Sequence, residues 1–378
     1  MLKLPRGRTC LARFAAFWPL AVLAAAAEPT VEGAPAPASV AHASTPARGC
    51  GLQEFWMVNT RFTPTSRQLE RGIERIRYSR RVANGTFAAR TRDDFLAGVD
   101  RSLPTLFLVH GNALDYGQAI TNADLLAEAI GVRVPAYRLV LWSWPTEHIR
   151  GMRLAENVRL KAGWSEAQGY YLAWLIDRID PLVPLSLAGH SLGARTVTAA
   201  LTGLACGQVA GQTLPARLHP GPRPMQAALI APAMDGTMLL PGGPHGQALA
   251  QVDRMLITIN PRDRTLRRFA RMTSARASLL GMTGLPRKSE LGDQQSKVRE
   301  TALTPWLGGA HVWRRYMNSP EVIVRLIPYL LCHDVAMAPV VTVAADPSTA
   351  VKRVPTSEQE RRFGRGRQIP RRRARRRA

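Results

Sequence analysis

A chain of 378 residues with 46% apolar residues can hold one large domain with tails, and its composition supports a sizeable buried core rather than wholesale disorder. The formal charge of +24 is extreme, but twelve Lys or Arg against two Glu fall within residues 351–378, so the tail alone carries +10 (12 − 2) and the body is less basic than the total suggests.

The first segment reads as a targeting signal. Lys3, Arg6, Arg8 and Arg13 lead into an uncharged apolar run of fourteen residues, 14–27. That is short of the roughly 20 that a bilayer-spanning helix needs. Ala25, Ala26 and Ala27 supply small residues for cleavage before Glu28. Residues 1–27 are therefore expected to be a signal peptide, with an uncleaved membrane anchor as the alternative. The mature protein is expected in the periplasm, the cell envelope or the medium. Cys10 precedes the apolar run, which does not fit a lipoprotein. Cleavage leaves Cys50, Cys206 and Cys332, which allow one disulfide or serve as small buried hydrophobes. No two stand at metal-ligand spacing.

Residues 28–49, rich in Ala, Pro, Ser and Thr, read as a disordered linker. From 50 to 334 short apolar runs alternate with helical patterns, and no repeat of 20–50 residues is visible. This alternation predicts an α/β domain with a mostly parallel central sheet and helices on both faces. Whether 67–101 caps the domain or packs beside the sheet stays open.

The first clear buried strand is 105–110 (TLFLVH), followed by Gly111 and Asn112. The second is 137–142 (YRLVLW), which runs into Ser143, Trp144 and Pro145; its tryptophans serve either core packing or a pocket wall. A helix is predicted over 167–179, with Tyr171, Leu175 and Ile179 on one stripe. The strand 185–189 (LSLAG) then meets Gly189-His190-Ser191-Leu192-Gly193, with a helical stretch over 194–204 behind it.

A G-x-S-x-G sequence between a strand and a helix is the context of a nucleophile elbow. Such a turn forces its central residue into a strained conformation and pushes the side chain out over the sheet. Glycines two residues to either side avoid collisions with the neighbouring backbone. Ser191 is thus the candidate nucleophile; otherwise it is a serine that caps a helix. A hydroxyl needs a base to become nucleophilic, and in this context acid and histidine follow the serine in that order. Strands at 227–231 and 255–259 are followed by Asp235 and Asp263 respectively. Asp263, in Asn260-Pro261-Arg262-Asp263, is the candidate acid and Asp235 its competitor; Arg262 and Arg264 also permit a solvated carboxylate paired with arginine. Among His219, His245, His311 and His333, the candidate base is His311, in a Gly-Gly loop before the final helix at 319–331. The oxyanion donors are expected to be the backbone N–H groups of Leu192 and Asn112. His110 is expected to be structural.

With those residues in place, the chain resembles the α/β-hydrolase family catalogued as domain of unknown function 900. The likeness runs over about 56–331. It rests on Trp56-Met57-Val58-Asn59-Thr60-Arg61, Leu108-Val109-His110-Gly111-Asn112, Leu141-Trp142-Ser143-Trp144-Pro145, the GHSLG elbow, 260–266 (NPRDRTL) and Ala310-His311-Val312-Trp313. It implies an α/β-hydrolase fold and lipase- or esterase-like chemistry. Asn112 departs from it, since a bulky residue is common at that position.

The expected activity is hydrolysis of a small-molecule or lipid ester through an acyl-enzyme, with no metal or organic cofactor required. The competing expectation is a non-catalytic envelope protein that binds an acyl ligand or a partner. Residues 335–378 form an Arg-rich tail expected to be disordered, which either has no dedicated partner or contacts an anionic surface. Export disfavours nucleic acid as that surface. Oligomeric state is not written in the sequence.

Overall fold

The computed structural model describes residues 51–331, apart from 222, 224 and 274–278. The expected signal peptide (1–27), linker (28–49) and tail (335–378), with Cys50, Cys332 and His333, lie outside the described residues.

The described residues form eleven strands: β1 (Leu52–Asn59), β2 (Arg77–Arg81), β3 (Phe87–Arg90), β4 (Thr105–Val109), β5 (Tyr137–Ser143), β6 (Leu185–His190), β7 (Gln208–Val209), β8 (Gln212–Thr213), β9 (Met225–Ile230), β10 (Arg254–Ile259) and β11 (Val298–Ala302). Nine of them build one sheet in the order β11-β10-β9-β6-β4-β5-β1-β2-β3, and β7 with β8 makes a separate two-residue hairpin. Every pairing from β11 across to β1 is parallel, while β1–β2 and β2–β3 are antiparallel. The stretch 67–101 therefore extends the edge of the sheet instead of capping it.

Strands β4, β5, β6 and β9 are buried at every position. This is why they read as unbroken apolar runs: helices cover both of their faces. The chain passes from β4 outward to β5, then crosses back over β4 to β6 and proceeds to β9. Right-handed crossovers made in opposite directions place their helices on opposite faces. Helix Tyr116–Ile130, between β4 and β5, therefore lies on one face, while Leu154–Asp177 and Leu192–Cys206 share the other. Gly169 permits that second pair to pack closely, since a Cβ there would lie 3.0 Å from the Ala200 nitrogen and overlap the Ala199 side chain. On the first face, Trp313 Nε1 donates to the Asn122 carbonyl at 2.8 Å, tying the short helix Trp313–Met317 to Tyr116–Ile130. This is the α/β-hydrolase fold.

The reversal of strand order about β4 opens a crevice at the carboxyl ends of β4 and β6, the position at which open α/β sheets carry functional groups. Behind it lies the core. Trp142 is fully buried and donates from Nε1 to Gln168 Oε1 at 3.0 Å, and Gln168 also accepts from the Thr60 hydroxyl at 2.5 Å. Both tryptophans of the Trp-Ser-Trp-Pro segment are fully buried and pack in the core. Cys206 is exposed at the end of its helix, so it is not a buried hydrophobe.

Trp142→Ala removes a full indole and leaves Gln168 Oε1 with the Thr60 hydroxyl alone. We expect a loss of about 3–5 kcal/mol in urea unfolding. A loss under about 1 kcal/mol would contradict the packing described.

Candidate active site

Ser191 follows the last residue of β6 and precedes the first residue of helix Leu192–Cys206. Its backbone has φ 55° and ψ −118°, a conformation that L-residues rarely adopt. Its N–H donates to the Ile230 carbonyl at 2.9 Å, and its carbonyl accepts from Ala233 N–H at 3.1 Å, so β9 and the loop beyond it clamp the turn. The flanking glycines are required by space. A Cβ on Gly193 would overlap the Val109 carbonyl and approach the His110 carbonyl to 2.8 Å; one on Gly189 would lie 2.6 Å from the Ala194 backbone. Ser191 makes no side-chain capping bond to its helix. Its Oγ instead lies 3.0 Å from His311 Nε2.

His311 Nδ1 lies 2.7 Å from Asp263 Oδ2. Because a carboxylate accepts, Nδ1 carries the hydrogen and Nε2 presents its lone pair to the serine hydroxyl. Asp263 caps helix Arg264–Met272, its Oδ1 accepting the Leu266 N–H at 2.9 Å, and its side chain is wholly buried. It is therefore not the solvated, arginine-paired carboxylate that the sequence also allowed. Asn260 ties the acid segment to the histidine loop. Its Nδ2 donates to the Gly308 carbonyl at 3.0 Å and its Oδ1 accepts from the Thr304 hydroxyl at 2.8 Å. Arg264 N–H adds a bond to the Gly309 carbonyl at 3.2 Å.

The competitors have other occupations. Asp235 accepts from the N–H and hydroxyl of Thr237, at 2.9 and 2.8 Å, as the cap of a short 3-10 turn. His245 lies between Thr198 Oγ1 (2.8 Å) and Glu166 Oε2 (2.9 Å) on helices Leu192–Cys206 and Leu154–Asp177. His219 donates its backbone N–H to Asp177 at 3.4 Å.

The loop after β4 lies against Ser191: a Cβ on Gly111 would stand 3.2 Å from Ser191 Cβ. Two residues hold that loop. Thr146 exchanges hydrogen bonds with Leu114, its Oγ1 accepting from the N–H at 3.2 Å and donating to the carbonyl at 2.8 Å, while its carbonyl accepts from Ala113 N–H at 3.0 Å. Arg61 reaches over from the end of β1 to the Leu114 carbonyl (3.4 Å), the Ser143 hydroxyl (2.9 Å) and Glu147. Leu192 is the first residue of its helix, so its N–H has no intrahelical acceptor. The Asn112 side-chain oxygen is buried with no hydrogen-bond partner among the described residues.

His110 is structural, as expected. Its Nδ1 donates to the Gly111 carbonyl at 2.8 Å, and its Nε2 accepts the Trp144 N–H at 3.2 Å. Sequence reasoning passed over Arg61, Thr146, Asn260 and His190; each acts on a neighbour that is distant in sequence or known only from the fold. Among the described residues, no cluster of three or more His, Cys, Asp or Glu is placed to hold a metal ion.

No protein-family model matches the sequence, and no match is found among curated proteins. Among solved structures, the chain is similar to esterase B from Lactobacillus rhamnosis. In a C6-C4 SN3 inhibited form the TM-score is 0.33 at 12% identity, covering 72% of this chain and 84% of that one. In a C4-C4 SN3 tributyrin phosphonate form the TM-score is 0.35 at 10% identity, with 74% and 86% covered. Likeness at this level carries no information about substrate. The fold assignment rests on the sheet order and the elbow.

Burial pushes the His110 imidazole down to about 3, with the nearby Arg61 guanidinium adding to the shift and the bond to Gly111 opposing it. An unfolded chain takes up that proton near 6.5. Between those values the unfolded state binds more protons, so stability falls as pH falls through this window, by about 1.4 kcal/mol per unit. Urea unfolding at pH 7 and pH 5 should show about 2 kcal/mol lost from His110 alone. Equal stability at both would contradict a buried neutral ring.

Proposed function

We propose that this protein is an exported serine hydrolase that cleaves carboxylic esters through an acyl-enzyme on Ser191. The observation that carries the reading is the continuous hydrogen-bonded line from Ser191 Oγ through His311 to a fully buried Asp263. In this reading, His311 Nε2 takes the serine proton as Oγ attacks the ester carbonyl. Asp263 keeps Nδ1–H in place and stabilises the imidazolium that forms. The N–H groups of Leu192 and Asn112 hold the oxyanion, helped by the positive end of helix Leu192–Cys206. His311 then gives its proton to the leaving alcohol, and water repeats the sequence on the acyl-enzyme. The proton balance closes without a metal or an organic cofactor.

Membership of the family catalogued as domain of unknown function 900 is proposed on the ordered motifs alone. Support comes from the roles their residues take: Arg61 and Trp144 brace the oxyanion loop, and Asn260 braces the base loop. Export is proposed from the leader sequence. Anchoring by an uncleaved leader is its alternative, and among the described residues no helix is long and apolar enough to cross a membrane. The Arg-rich tail is proposed to contact anionic surfaces and to be dispensable for hydrolysis.

Hydrolysis of p-nitrophenyl esters of graded chain length, by wild type and by Ser191→Ala, tests the reading. Wild type is expected to turn over at least one ester, and the variant to lose at least about a thousandfold in kcat. Equal rates in the two proteins would overturn the assignment of Ser191.

A further inference from the structure

His190 stands beside the nucleophile and is 7% exposed. Its Nε2 lies 3.3 Å from the backbone carbonyl oxygen of His311. A carbonyl only accepts, so Nε2 carries the hydrogen and the ring is the Nε2–H tautomer. The ring lies against the segment that carries the base: its centroid is 5.1 Å from that of His311, 5.0 Å from Trp313 and 6.1 Å from Tyr316. On its other side, Nδ1 is buried with no hydrogen-bond partner among the described residues and faces Gly111, where an added Cβ would stand 2.9 Å away. One ring thus touches both loops that must converge on Ser191.

We infer that His190 is a positioning residue: a wedge that sets the spacing between the His311 loop and the Gly111-Asn112 loop, and that aims the base through the hydrogen bond it donates to the His311 carbonyl. The inference rests on the reading of Ser191 and His311 given above. Glycine at 111 follows from it, because any side chain there would push the wedge toward His311. A neutral ring is also the right one for this place. Burial, together with the neighbouring His311, holds the His190 imidazole well below the usual histidine range. It therefore adds no charge to oppose the imidazolium that His311 becomes during acyl transfer.

The donor can be separated from the bulk of the ring. Gln and Met are alike in length, but only Gln donates, with an amide nitrogen at about the reach of the imidazole Nε2; Phe keeps a ring and lacks the donor. We expect His190→Met to fold with a Tm near that of wild type. Its kcat on a p-nitrophenyl ester should fall about ten- to a hundredfold, the scale set by small misplacement of a reacting group, with KM changed by less than about twofold. Its rate of fluorophosphonate labelling should fall in parallel. His190→Gln should recover to within about fivefold of wild type. Should the Met variant not fold, His190→Phe takes its place in the comparison. A donor-less variant with wild-type kcat overturns the inference, and so does a Gln variant no better than Met or Phe. If wild type neither turns over an ester nor takes the label, the hydrolase reading fails and this one fails with it. Active wild type beside an unaffected donor-less variant defeats this inference alone.

Discussion

The backbone of Ser191 cannot relax without breaking the hydrogen bonds that tie it to β9 and to the loop beyond it. A non-glycine residue at φ 55° and ψ −118° costs on the order of 1–3 kcal/mol, and such a conformation persists only where its surroundings over-determine it. Here β9 holds the Ser191 N–H and the loop after it holds the carbonyl. Gly193 lets the new helix start directly against the end of β4. The same contact brings the Gly111-Asn112 loop to the serine, because the β4 backbone that excludes a Cβ at Gly193 continues into Gly111. Strain at one residue and convergence of two loops are one constraint, seen from two sides.

Around this turn, bracing is graded by burial. Asp263 is wholly buried and serves as a helix cap as well as a partner for His311, so its carboxylate cannot swing away without uncapping Arg264–Met272. His110 is locked between Gly111 and Trp144 and is neutral throughout the physiological range. Ser191 keeps 8% exposure and the His311 side chain 11%, while Asp263 and His110 behind them are buried at 0% and 1%. A frame braced by buried groups fits chemistry that depends on positioning and preformed dipoles.

The parts of this arrangement that were legible in the sequence are those whose physical cause is local. Strands β4, β5, β6, β9 and β10 announce themselves because burial on both faces leaves almost no polar residues in them. Gly189 and Gly193 are legible because only glycine fits there, and Asp263 because it comes just beyond a strand end. The Arg-rich hairpin of β2 and β3 was not legible: RYSRR, next to the sheet edge, and FAAR, at the edge itself, are largely exposed or half-exposed and carry no apolar periodicity. Asn84-Gly85 marks its turn, with Gly85 at φ 82°, and that signal was available but unread. Strand β11, VRETA, is a polar edge of the same kind. Arg61, Asn260 and His190 look like ordinary polar residues in one dimension. Their partners lie 53, 48 and 121 residues away, so the fold must be known before their roles can be.

The central claim is that Ser191 is nucleophilic because His311 acts on it. Labelling the intact protein with a fluorophosphonate and mapping the adduct by peptide mass spectrometry, in wild type and in His311→Ala, tests this most directly. The account predicts a single adduct on the peptide containing Ser191, and its loss in the His311 variant. An adduct on a different serine, or undiminished labelling of Ser191 without His311, would contradict it.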